Sequence, residues 1–201
     1  MTISSETLIK FCAVNDVREY LMKPGRDDRR IVASNGHIAI RAEQVDGLDI
    51  THLPYWTGQI KLNNYVEKSK AEAGEPVDLP DLPEPEPCPV CSGAGYLYTC
   101  PDCNGDTEFD HGNHTYECKN CAGSGLVEQP YGNDGKKEGC YECNGRGERA
   151  DQIVHVGNAV YQLRYLRLLA TLENLSFYPA GDAPAYFTAE GCDGVLMPMR
   201  W

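Results

Sequence analysis

The sequence predicts an α+β fold, helices packed on an antiparallel sheet, divided by a cysteine-rich insertion. Three observations carry this. Short apolar runs broken by proline and glycine, with amphipathic stretches between them, occur towards both ends of the 201-residue chain. Between Cys88 and Gly147, eight of the ten cysteines recur in four Cys-x-x-Cys pairs, each followed by glycine. Just before them, residues 71–87 carry six acids, five prolines and no basic residue. The expected organisation is a first half-domain over 1–70, an acidic Pro-rich linker over 71–87, an insertion over 88–147 and a second half-domain over 151–201.

In chain order, Ser5 is placed to cap a helix on which Leu8, Ile9, Cys12 and Ala13 share a face. Strands are expected over 17–22 and 30–42, separated by a turn in Lys23-Pro24-Gly25-Arg26-Asp27-Asp28. Proline lacks an N–H donor and fixes φ, so the linker should be a stiff, extended, solvated spacer. After the insertion, a strand over 152–156 leads to Gly157-Asn158, which opens a helix. Val160, Leu163, Leu166, Leu169 and Leu172 form its apolar stripe, and Arg164 and Arg167 face solvent. Strands over 175–179, 185–189 and 195–200 close the chain, broken at 180–182 and 191–194. The flanks thus read as two halves of one domain.

The four repeats are Cys88-Pro-Val-Cys91-Ser-Gly-Ala-Gly95, Cys100-Pro-Asp-Cys103-Asn-Gly-Asp106, Cys118-Lys-Asn-Cys121-Ala-Gly-Ser-Gly125 and Cys140-Tyr-Glu-Cys143-Asn-Gly-Arg-Gly147. Two residues between cysteines let a tight turn aim both thiolates at one metal, and the following glycines accept positive φ. Eight thiolates suffice for two tetrahedral Zn(Cys)4 sites, so two zinc ions are expected. A disulfide framework is the alternative. Residues 1–30 show no secretory signal, and a cytoplasmic chain keeps its thiols reduced, which favours metal. Cys12 and Cys192 lie outside the pattern and read as small core residues. His111 and His114 could replace a cysteine ligand, but read more simply as exposed loop histidines. The second repeat lacks the closing glycine.

Charge narrows the function classes. The formal net charge is −12, and between Cys88 and Gly147 nine acids face four bases. Each Zn(Cys)4 centre adds about two further negative charges. Direct nucleic-acid binding is therefore not expected, the competing reading being that Lys119, Lys136, Lys137 and Arg146 gather on one face. No apolar run approaches the roughly 20 residues that cross a bilayer, so a soluble protein is expected. No Ser-His-Asp set, carboxylate pair or phosphate-binding glycine loop is recognisable, which points away from an enzyme. Thiol–disulfide exchange is the one catalytic reading that Cys-x-x-Cys leaves open.

Two resemblances attach to quoted residues. Over about sixty residues the four repeats resemble the cysteine-rich zinc domain of the J-domain chaperone (DnaJ) family. That resemblance implies a hairpin-rich insertion in which the first repeat pairs with the fourth and the second with the third. Cys88, Cys91, Cys140 and Cys143 would then hold one zinc, and Cys100, Cys103, Cys118 and Cys121 the other. Pairing of sequential repeats stays open from sequence. The His-Pro-Asp tripeptide with which a J-domain stimulates its partner is absent, so a complete co-chaperone is not implied.

The runs Asp16-Val17-Arg18-Glu19-Tyr20-Leu21, Val32-Ala33-Ser34-Asn35-Gly36-His37-Ile38-Ala39, the helix Tyr165-Leu166-Arg167-Leu168-Leu169-Ala170-Thr171-Leu172 and the ending Val195-Leu196-Met197-Pro198-Met199-Arg200 in the flanks resemble the bacterial sliding clamp, the DNA polymerase III beta subunit. This implies a single clamp-like domain split by the insertion, and a peptide-binding site at Ser34, Gly36, His37, Ile38, Met197, Pro198, Met199 and Arg200. Flexible Met side chains suit an adaptable apolar groove. The expected function is a non-enzymatic zinc-binding interaction module that takes a protein or peptide partner from replication or chaperone machinery. The zinc insertion would be its second contact surface. The alternatives are a DnaJ-like holdase for unfolded protein and an oligomeric, clamp-like processivity factor.

Overall fold

The computed structural model describes residues 2–14, 16–27, 30–56, 62–129 and 136–200. The chain divides into two units, Met1–Pro83 with Asp151–Trp201, and Glu84–Ala150. The first begins with β1 (Ile3–Ser4), α1 (Ser5–Ile9), a 3-10 turn (Glu19–Met22), β2 (Gly25–Asp27), β3 (Arg30–Ser34), β4 (Ile38–Ala42), β5 (Val45–Asp46), a second 3-10 turn (Ile50–His52) and α2 (Leu62–Ala71). The second unit holds β6 (Tyr96–Thr99), β7 (Glu108–His111), β8 (His114–Glu117), β9 (Leu126–Val127) and β10 (Lys137–Gly139). The chain then returns through β11 (Ile153–Val156), β12 (Ala159–Gln162), α3 (Leu163–Leu169), β13 (Ser176–Ala180), β14 (Ala183–Ala189) and β15 (Cys192–Leu196). The fold is mixed α+β, mostly sheet with few helices.

One six-stranded antiparallel sheet, in the order β13-β14-β15-β4-β3-β2, organises the first unit. Its central pairing, β15 on β4 with Leu196 opposite Ile38 and Cys192 opposite Ala42, joins strands that lie on opposite sides of the insertion in sequence. β4 is buried along its whole length. Ile38, Ile40 and Ala42 point into a core that includes Leu8 of α1, Phe11 just beyond it, and Tyr165, Leu166 and Leu169 of α3. Ala39 points to the other face, where Leu62 and Val66 of α2 pack with Tyr186 and Val195. A sheet covered on both faces has no solvated side, which is why β3 and β4 read as apolar runs rather than alternations.

Both sheet edges are occupied. The Val77 N–H donates to the Phe177 carbonyl of β13 at 2.8 Å. At β2, the Arg26 N–H donates to the Pro54 carbonyl at 2.9 Å and the Trp56 N–H to the Arg26 carbonyl at 3.0 Å. The Pro-rich stretch is extended, as its prolines require, and lays Val77, Leu79 and Leu82 against the core. Arg167, expected to face solvent, donates from Nη1 to the Pro83 carbonyl at 3.0 Å.

Local differences from the expected elements have physical causes. The cap of α1 is Ser4, whose hydroxyl accepts from the Thr7 N–H at 3.1 Å, and the helix ends at Ile9, so Cys12 and Ala13 follow it rather than ride on it. Residues 19–22 form a 3-10 turn instead of a strand. Gly157-Asn158 is the two-residue turn of the β11–β12 hairpin, with Gly157 at φ +60°, because the flanking residues alternate with period two. The helix therefore starts at Leu163, and of the expected stripe Val160 lies on a strand. The turn expected at 23–28 reaches beyond β2 to Asp28, which lies outside the described residues.

Candidate metal centres and partner surface

Each cysteine repeat folds into the same knuckle. The residue after the second cysteine and the glycine after it are both left-handed: Ser92 and Gly93, Asn104 and Gly105, Ala122 and Gly123, Asn144 and Gly145. Sequence pattern points to the glycines; the positive φ of Ser92, Asn104, Ala122 and Asn144 comes only from the structure. The next turn brings a backbone N–H onto the second cysteine's sulfur: Gly95 to Cys91 at 3.2 Å, Gly125 to Cys121 at 3.3 Å and Gly147 to Cys143 at 3.2 Å. Thr107 stands at the matching place in the second repeat, at φ +65°. Among the described residues no such bond reaches Cys103.

Strand pairing and backbone bonds bring distant repeats together. The Cys88 N–H donates to the Gly147 carbonyl and the Cys140 N–H to the Gly95 carbonyl, at 2.8 and 3.0 Å. The Cys100 N–H likewise reaches Gly125, and the Cys118 N–H reaches Thr107. The cysteines gather in two buried sets, Cys88, Cys91, Cys140 and Cys143, and Cys100, Cys103, Cys118 and Cys121, with the sulfurs of each set within 4.8 Å of one another. The first repeat thus joins the fourth and the second joins the third.

The donor sets fit zinc. Sulfur–sulfur separations are 3.9 Å for Cys88–Cys140, 3.8 Å for Cys91–Cys143, 3.9 Å for Cys100–Cys118 and 3.7 Å for Cys103–Cys121. A tetrahedron with Zn–S bonds of about 2.3 Å has edges of about 3.8 Å, whereas a disulfide needs about 2.05 Å. All ten cysteines are free of disulfides. Four thiolates per set leave no open coordination position, the arrangement of a structural rather than a catalytic zinc. His111 and His114 pair across the tip of the β7–β8 hairpin and belong to neither set. Cys12 and Cys192 are buried in the first unit, where burial pushes their thiols up to about 11 and about 12, so both stay protonated and unreactive at neutral pH.

Of the eight residues expected to form a partner site, the structure brings two ends together. The Met197 N–H donates to the His37 carbonyl at 2.8 Å, and the Met199 N–H to the Val160 carbonyl at 2.8 Å. The His37 ring stacks on Tyr165, with centroids 6.0 Å apart, and Arg164 covers the Tyr165 ring at 4.6 Å. Partial burial, then Arg164 and Arg18, hold His37 below its ordinary pKa, so it is neutral at pH 7. Met197 is 38% exposed, and Arg200 is also exposed. Ser34 and Ile38 are buried. The Ser34 hydroxyl donates to the Ile38 carbonyl at 2.8 Å and accepts from the Gly36 N–H at 3.0 Å, so it shapes the turn that presents His37.

A buried charge network escapes sequence reading. Arg41, 2% exposed, donates from Nε and Nη2 to the two carboxylate oxygens of Asp193, both at 2.7 Å. It also donates to Glu67 at 2.7 Å and Asn63 at 3.1 Å on α2. Tyr186 and Arg30 complete the shell of Asp193, each at 3.3 Å. Burial works against the guanidinium's charge, but the bonds to Asp193 and Glu67 outweigh it and raise the Arg41 pKa. Arg41 and Asp193 are register partners on β4 and β15, so the network bolts the two halves of the first unit.

Comparison with known proteins adds little. No family model matches the chain, and no curated protein matches it. Among solved structures, Caulobacter crescentus pol III beta is similar at 14% identity with a TM-score of 0.33, over 97% of this chain. The chain spans 64% of that protein's length. Among the described residues no helix is long and apolar enough to cross a membrane.

Proposed function

We propose that this is a non-enzymatic, cytoplasmic interaction protein. Its clamp-like first unit takes a peptide or replication-related partner at the His37–Met197 surface, and its DnaJ-like zinc unit offers a second contact. The observation that carries this reading is the meeting of two segments more than 150 residues apart: Met197 lies exposed on the strand extension bonded to the His37 carbonyl, beside the His37–Tyr165 stack. An exposed flexible apolar side chain beside an aromatic stack suits an apolar peptide anchor. Capture of a partner from bacterial lysate should be lost in Met197→Ala/Met199→Ala and kept when residues 84–150 are replaced by a short linker. Equal capture by the double variant overturns the reading.

A holdase reading is favoured by one observation in the zinc unit. Phe109 and Tyr116 stack at 5.9 Å across β7 and β8 while 51% and 46% exposed, an apolar pair flanked by the His114 ring. Suppression of aggregation of a denatured test protein, lost in Phe109→Ser/Tyr116→Ser, would move the function to this unit. A ring assembled by sheet continuation has to displace Val77 or the Pro54–Trp56 segment from the sheet edges. A hexameric mass in light scattering would support the processivity-factor reading.

A further inference from the structure

The two zinc sites share a ligand set and differ in what surrounds it. In the site of Cys88, Cys91, Cys140 and Cys143, the sulfurs of Cys91 and Cys143 each accept a backbone N–H, from Gly95 and Gly147. In the other site Cys121 has that bond and Cys100 accepts from the Asp102 and Cys103 backbone, but Thr107 replaces the glycine that would serve Cys103; Asn120 Nδ2 adds a long contact of 3.7 Å to Cys100. Exposure follows the same order. Cys88, Cys91, Cys140 and Cys143 are 0, 3, 0 and 1% exposed, whereas Cys100, Cys103, Cys118 and Cys121 are 0, 7, 3 and 7%, the difference lying in Cys103 and Cys121. A cavity of about 1000 Å³ opens onto Cys118 itself, with Phe109, Tyr116, Lys119, Asn120 and Ala122 among its walls.

We infer that the site of Cys100, Cys103, Cys118 and Cys121 is an exchangeable zinc site, open through this cavity to a small competing thiol, and that the other site is permanent. N–H donation to a thiolate spreads its charge and fixes its direction, so a sulfur without it is the better leaving ligand and the better target for replacement. The cavity supplies a path to Cys118. In the exchange an incoming thiol binds zinc through its sulfur as a thiolate, the bond from zinc to Cys118 breaks, and the freed Cys118 thiolate takes the proton. No electron is transferred. Lys119 on the cavity wall is offset by Asp102 and Glu117, so a small thiol such as glutathione is admitted by size and not drawn in by charge.

The test uses the full two-zinc protein, glutathione as competitor and a chromogenic zinc indicator to read free metal, with amide spectra followed in parallel. Zinc should leave in two phases of equal amplitude separated at least tenfold in rate. The Gly125 amide should change with the fast phase, and those of Gly95 and Gly147 only with the slow one. Asn120→Ala should quicken the fast phase about tenfold and leave the slow phase alone. A single phase, or early change at Gly95 and Gly147, overturns the inference, as does an Asn120→Ala effect on the slow phase or on neither.

Discussion

Residues 84–150 bury little besides sulfur, whereas the remainder of the chain buries aliphatic and aromatic side chains. Around one zinc set the apolar company is Leu97 with Val90 and Leu126, and around the other it is Val127. The first unit packs Phe11, Tyr161, Leu166, Phe177 and Phe187 into one face of its sheet and Trp56, Leu62 and Val66 into the other. One unit thus depends on an external ion and the other on area removed from water. The difference teaches that a chain can carry two independent sources of order, each with its own point of failure.

The largest expected effect is metal removal. Structural zinc contributes on the order of 10–16 kcal/mol to small domains, beyond what one buried and three partly buried aliphatic side chains offer. Chelation should therefore unfold residues 84–150 and leave the six-stranded sheet intact, read as loss of the Gly95, Gly125 and Gly147 amides with retention of those in β3, β4 and β15. A single transition that melts both units breaks the comparison.

Second in size is the buried pair. Arg41→Ala leaves Asp193 in the interior with Arg30 and Tyr186 as its remaining partners, and loss of one member of a buried pair costs about 3–5 kcal/mol. Denaturant unfolding of the first unit should shift by that amount while zinc content stays at two per chain. Arg41→Met/Asp193→Leu, which removes both charges, should recover most of the loss. Recovery distinguishes desolvated charge from mere packing.

The units should also fail at opposite ends of the pH scale. Cys12 and Cys192 have native values raised from 9.0 to about 11 and about 12 by burial, so their contribution is present below pH 9 and is lost as pH rises towards 11 and 12. Each such group removes at most about 1.4 kcal/mol per pH unit. The first unit is therefore expected to weaken in alkali. The zinc thiolates take up protons when metal leaves, so the second unit should weaken in acid. Circular dichroism against zinc release over pH checks both directions.

The metal centres were legible because Cys-x-x-Cys-x-Gly is a local rule: spacing and glycine alone aim the sulfurs. Which repeats pair is not local. It follows from Cys88 bonding to Gly147 and Cys100 to Gly125, and sequence left both pairings open. The α+β class and the strands near 153, 176 and 185 were likewise readable from alternation and turn residues. β15, by contrast, starts at Cys192, inside the stretch 191–194 read as a break, because Gly194 there makes room for the Ala39 carbonyl and the Phe187 ring and does not mark a turn. α2 was not, since of its ten residues only Leu62, Val66 and Ser69 are buried, too sparse a stripe to stand out. Arg41 and Asp193 were hidden for another reason: a charged residue within an apolar strand declares nothing until its partner, 152 positions away, is placed opposite it.

The smallest expected effect tests the knuckle itself. Four residues follow a ligand cysteine in left-handed backbone, and two of them, Asn104 and Asn144, are of the type that tolerates it, whereas Ala122 at φ +47° is not. A side chain beyond glycine in this region costs roughly 1–2 kcal/mol, and asparagine recovers part of that through local hydrogen bonding. Ala122→Asn should therefore stabilise the zinc-loaded second unit by about 0.5 kcal/mol, with no change in the first. Thermal unfolding followed at the Gly125 amide has the resolution to see it. Because Ala122 also lines the cavity at Cys118, the variant separates two origins of weakness in that site. Backbone strain predicts slower zinc loss in Ala122→Asn; a missing N–H donor at Cys103 predicts no change in rate.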